Sequence, residues 1–270
     1  MFLFATMDAT VKHLVKTYSI VQIIWARFFF HLIILLIIFP QRIPEFVRTE
    51  NPILQLSRSF LMIATTSLFF TGLIFVPLAD AASMMLVSPL IVTALSMPVL
   101  KEPVGIRRWV GVLLGLSGAL IIIKPTGNLQ WETLLPLAAA FSYAIYQIST
   151  RFLSQKDPTI TTLFYTAAIG ALLASFAVPF VWLQPTTTDW LLMVFTGLCG
   201  GMGHFALIRS LVLAEAATVV PFAYTAVLWA TGYGFILFGN FPDQWTIFGS
   251  VIIVTSGLYV FFREEKYKRN

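Results

Sequence analysis

Arg27 and His31 stand four residues apart inside the uninterrupted apolar stretch Ile20–Phe39, with Gln22 and Trp25 near the same stripe. One helical turn separates positions four apart, so both side chains share a face. A guanidinium there can hold a carboxylate or phosphate in a bidentate grip, and an imidazole can accept or pass a proton near neutral pH. A plainer reading of Arg27 is an anchor to helix-end carbonyls that never meets substrate. Asp8 and Lys12 repeat the four-residue spacing, which permits an ion pair, structural or substrate-linked. Tyr143, Gln147 and Arg151 step along a third helix at the same interval, with Tyr143 and Gln147 as candidate lining and Arg151 at a rim. Tyr224, Trp229 and Tyr233 offer aromatic lining for a flat or amphipathic cargo, although most aromatic residues in such a chain must face lipid or other helices. His204, which follows Gly197, Gly200, Gly201 and Gly203, is either a satisfied core histidine or a proton relay; the glycines themselves read as a close-packing face.

Reactive groups of this kind need elements to carry them, and the composition dictates which. Hydrophobic residues form 58% of the 270-residue chain and charged residues 11%. Soluble domains carry about 25% charged residues, so this chain lacks the polar surface to be wetted and must use lipid as its solvent. A bilayer core takes roughly 20 apolar residues per helix. Such stretches occur at about 20–39, 59–76, 81–100, 109–123, 134–152, 160–183, 190–212, 217–238 and 245–262. They are continuous rather than alternating, which excludes a β-barrel. The apolar segment Met1–Val11 would reach only about 17 Å as a helix, too short to cross. Its basic residues follow it rather than precede it, so it does not read as a secretory signal. It is expected to be the later part of a first helix, or a half-helix entering the bundle. The sequence therefore predicts an all-α, ten-helix membrane bundle.

Each ionisable group inside such a span is expensive and hence a functional candidate. Thirteen of the 17 Lys and Arg residues, among them Arg42, Arg48, Arg58, Arg107, Arg108 and Lys156, fall in connections on one side or in the tail. Lys12, Lys16 and Lys124 fall on the other. The excess of basic residues marks the cytoplasmic side, predicting a cytoplasmic C-terminus in a bacterial inner membrane. It also accounts for the formal charge of +5 without a nucleic-acid partner.

The halves echo one another. Lys12-His13-Leu14 matches Arg151-Phe152-Leu153, and Leu78-Ala79-Asp80-Ala81-Ala82 matches Leu213-Ala214-Glu215-Ala216-Ala217. Pro103 matches Pro242, and Ser117-Gly118 matches Ser256-Gly257. On this basis the chain divides into five-helix units over 1–128 and 129–263, followed by a basic tail, 264–270. Five is odd, so the second unit enters the membrane inverted, a plan that recurs in secondary transporters with substrate bound near the midplane. Asp80 and Glu215 occupy matching helix starts, where a negative charge is favoured.

The segment Leu78-Ala79-Asp80-Ala81-Ala82 through Ser88-Pro89-Leu90, then Lys101-Glu102-Pro103 and Gly111, Gly115 and Gly118, resembles the EamA-type repeat of the drug/metabolite transporter superfamily. The second half resembles it also, except that Phe241 stands where an acid would match Glu102. The resemblance implies ten helices in two inverted repeats and carriage of a small metabolite across the bacterial inner membrane, with cargo and direction open. Amino-acid-like, nucleoside-like and vitamin-like substrates are all compatible with it, and so is a homodimer. No G-x-x-x-x-G-K-[ST], H-E-x-x-H or G-x-S-x-G motif occurs. Neither ATP-driven pumping by this chain nor an intramembrane enzyme of those types is expected, and an accessory subunit is neither favoured nor excluded. The three histidines are scattered and Cys199 stands alone, so no metal or cofactor is expected.

Overall fold

The protein, seen in a computed structural model, is described over residues 1–100, 106–123, 131–153, 156–213 and 220–269. Among these residues every regular element is helical. The first half contains α1 (Phe2–Leu14), α2 (Ile20–Ile38), α3 (Pro52–Phe75), α4 (Leu78–Met85), α5 (Ser88–Leu100) and α6 (Ile106–Ile123). The second contains α7 (Leu135–Leu153), α8 (Thr159–Ala177), α9 (Thr187–Leu213), α10 (Thr225–Phe238) and α11 (Gln244–Arg269). α2, α3, α8, α9 and α11 are each long and apolar enough to span a bilayer. Counting the α4–α5 pair as one broken pass gives ten.

Local chemistry explains the boundaries. The Ser19 hydroxyl caps α2 by accepting from the Val21 N–H. α3 starts at Pro52, a residue suited to the first helical turn. The expected fourth span, 81–100, is broken at Leu86–Val87, because Pro89 lacks the N–H that would continue the ladder. Gly239 ends α10 with a left-handed φ of 67°. Large apolar side chains point outward around the bundle, with Phe180 87% and Ile236 77% exposed. In water this surface would aggregate; in a membrane it is the lipid contact.

The helix pairing has a two-fold pattern. α2 packs on α8, α6 on α11 and α4 on α10. The remaining major contacts come in mates: α3–α7 with α1–α9, α3–α8 with α2–α9, and α4 and α5 on α7 with α10 on α1. Exchanging the two halves leaves this set unchanged, as expected of a repeated five-pass unit inserted twice in opposite sense. The glycine face of α6 behaves as expected. A Cβ at Gly118 would lie 2.8 Å from the Gly249 carbonyl of α11, so these backbones touch.

Candidate functional site

Three helices from the two halves deliver the central polar cluster. The Arg27 guanidinium leaves α2 fully surrounded and donates to Thr66 Oγ1 on α3 and, at 3.1 Å, to His204 Nε2 on α9. A guanidinium has no acceptor, so Nε2 must accept and the ring proton sits on Nδ1. Among the described residues, that Nδ1 and the Nε of Arg27 are buried and have no hydrogen-bond partner. Unsatisfied buried donors of this kind are costly unless another group meets them. The rings of Phe28 and Phe70 flank the guanidinium at 4.7 and 5.7 Å.

Around this pair lie groups from both repeats. Asp8 of α1 and Tyr143 of α7 are close enough for their charges to act on Arg27. Both side chains are half-buried. Tyr143 stacks on Tyr146 with centroids 5.6 Å apart, and Tyr146 meets His204 edge-on at 6.1 Å. Gln147, half-buried, lies one turn beyond Tyr143 on the same face of α7. His31 packs against Gly201, whose added Cβ would lie 2.8 Å from the imidazole Cδ2. The α9 glycines thus let α2 approach closely enough for Arg27 to reach His204.

Other expected residues lie elsewhere. Trp25 donates to Ser175 at 3.0 Å and joins a cluster with Phe29, Phe30 and Trp182, away from the guanidinium. Tyr224 belongs to a second core beside Gly257, between α6 and α11. Trp229 is 45% exposed and packs on Phe2. Lys12 does not pair with Asp8. Its ammonium donates to the carbonyls of Leu73 and, at 2.8 Å, Val76. Pro77 supplies no N–H to the Leu73 carbonyl, and the end of α3 carries a negative dipole, so this helix terminus outcompetes the carboxylate. Asp80 lies in the first turn of α4 and accepts from Thr246 of α11 at 3.0 Å. Lys101, Glu102, Pro103, Lys124 and the Ala214–Ala217 segment fall outside the described residues.

Arg58 is the largest correction. Expected in a connection, it lies two turns inside α3 and is fully buried. It donates to Thr150 Oγ1, the Thr162 carbonyl, Thr166 Oγ1 and the Tyr146 hydroxyl at 2.6–3.1 Å. A signal existed: Gln55, Arg58, Ser59, Met62 and Thr66 recur at helical spacing, so they share one face, buried in the fold, of a helix that begins before its expected start. Two clefts open away from the cluster. One of about 300 Å³ is lined by Thr6, Thr10, His13 and Tyr233. The other, of about 540 Å³, lies among Glu45, Arg48, Thr49, Lys156 and Asp157. Neither contains Arg27; the buried cluster, where polar groups of both halves converge, is the candidate site. Among the described residues no group of His, Cys, Asp and Glu has metal-binding geometry.

The EamA-like transporter family model matches this chain twice, over residues 1–124 and 130–262. The chain belongs to the EamA-like transporter family. Its curated relatives include an S-adenosylmethionine uptake transporter of Rickettsia bellii, 27% identical over 96% of this chain and 89% of the relative. A riboflavin transporter of Vibrio cholerae is 30% identical over 84% and 77%. A pseudopaline exporter of Pseudomonas aeruginosa is 26% identical over 94% and 90%. A solved structure at 18% identity, covering 95% of this chain and 93% of its own, superposes with a TM-score of 0.66 and shares the fold. The EamA-like chain is thus a multi-pass inner-membrane transporter of the drug/metabolite transporter superfamily, not an enzyme, and its cargo is a small molecule.

Proposed function

We propose that the protein carries a small organic metabolite bearing a carboxylate, of amino-acid, nucleoside or vitamin type, by alternating access between units 1–128 and 129–263, with its C-terminus in the cytoplasm. One observation carries this reading: Arg27 and His204, bonded to each other across the two halves, keep buried donors that no group among the described residues satisfies. An anionic oxygen would meet them, and Asp8 would receive a cationic group on the same molecule. Tyr143 and Gln147 complete the lining, and His31 supports the α2–α9 contact. Two inverted units of similar structure give inward-open and outward-open states of similar energy, which a carrier requires. The basic excess on one side supports the orientation. No observation favours an enzyme or an accessory role.

The test is uptake into proteoliposomes of a panel containing S-adenosylmethionine, riboflavin and carboxylate metabolites with their amide counterparts. At least one carboxylate should be carried and its amide rejected. Arg27→Gln should abolish that uptake while the protein inserts normally. Failure of the whole panel, or equal uptake of acid and amide, would remove the reading.

A further inference from the structure

Arg58 is a cation buried among neutral oxygens. Its four partners sit on two helices of the second repeat: Tyr146 and Thr150 on α7, and Thr162 and Thr166 on α8. The hydroxyls of Thr150 and Thr166 each donate to the carbonyl four residues back in their own helix, at 2.7 and 2.9 Å. Their lone pairs are therefore turned to Arg58 in advance, and the guanidinium also lies 4.4 Å from the centroid of the Tyr146 ring. One side chain of the first repeat thus fastens two helices of the second.

Position gives this contact a meaning. On its inner side Tyr146 packs against Tyr143 and against His204, the partner of Arg27. On its outer side Gln55 donates to Asp157 at 2.7 Å, and Asp157 accepts from the Thr49 hydroxyl and the Glu50 N–H. Two polar layers therefore lie between the Arg27–His204 cluster and the cleft formed by residues 45–50 and 156–158. The inner layer contains no carboxylate. A buried Arg–carboxylate pair, once made, is costly to separate. Neutral acceptors are individually weaker, and water can replace them when helices part. That makes the contact suited to repeated opening.

We propose that Arg58, with Tyr146, is the positioning residue that closes the path to the Arg27–His204 cluster from the side of residues 45–50 and 156–158, and that transport opens this path by releasing Arg58 from α7 and α8. The proposal rests on the alternating-access reading, but its test needs no substrate. In a Cys199→Ala background, Gln147→Cys, on the same face of α7 as Tyr143, reports access to the cluster, and Lys156→Cys, an exposed position, marks the membrane side of that cleft. The probe is a membrane-impermeant maleimide applied to each face of sealed vesicles. Tyr146→Phe keeps the ring and removes one acceptor. It should raise Gln147→Cys labelling several-fold from the face that labels Lys156→Cys, and leave the opposite face unchanged. Arg58→Gln should give a larger rise, on the order of tenfold, on the same face, and Arg58→Lys should not restore closure because an ammonium cannot span both helices. A brace without gating function would lower stability without this one-sided gain. If Arg58→Gln labels from both faces, the fold is lost and the Tyr146→Phe result decides. Unchanged labelling in Tyr146→Phe, or a rise only on the opposite face, overturns the proposal. A panel that is not transported would sink the function assignment while leaving the labelling result intact.

Discussion

Replacing Gly197 by alanine adds one methyl group at the tightest part of the α2–α9 contact. That Cβ would lie 2.5 Å from Phe30 Cβ and 2.8 Å from the His31 backbone nitrogen. Neither atom can rotate away, because both are fixed to the α2 backbone. Comfortable separations are about 3.5–4 Å, so the helices must part by about 1 Å. The Arg27–His204 bond, at 3.1 Å, does not survive such a shift. Overpacking of this size costs about 1–3 kcal/mol. Thermal unfolding in detergent should therefore show Gly197→Ala less stable than the parent. Gly232→Ala is the control: among the described residues nothing lies within 4 Å of its added Cβ. Relief of glycine's flexibility in a helix should there be neutral or stabilising by about 0.5–1 kcal/mol. Equal melting temperatures for the parent and Gly197→Ala would refute the packing argument. So would equal losses in both variants.

Lys12→Met should destabilise the protein by about 1–3 kcal/mol, because the Leu73 and Val76 carbonyls lose their donor. Asp8→Asn should leave stability near that of the parent; equal losses in the two variants would restore the Asp8–Lys12 pair. For the orientation, Thr188→Cys should label from the periplasm and Lys156→Cys from the cytoplasm in intact and inverted vesicles, and the reverse pattern would invert the topology. Gln55→Leu should weaken the outer layer, measured as faster proteolysis of the segment between α2 and α3, whose Thr49 and Glu50 bond to the same Asp157. Unchanged cleavage would show that Asp157 holds the segment without Gln55.

Composition and apolar periodicity determine that the chain is a helical membrane bundle, since too few charges remain to face water. The odd number of passes in a twice-written pattern points to inversion. Arg27 was legible because a lone charge in an apolar run is conspicuous. Arg58 was legible only as one position on a helical face, because Gln55, Ser57 and Ser59 beside it make it resemble a surface residue; the threonines of α7 and α8, some hundred positions away, make its burial tolerable. The tertiary structure likewise separated near-identical sequence signals. Lys12 left Asp8 for a helix end that Pro77 had deprived of a donor, while His204 was drawn to Arg27 through a glycine face. Local spacing fixes which residues share a face. Which face meets which depends on contacts between segments that no single stretch of chain contains.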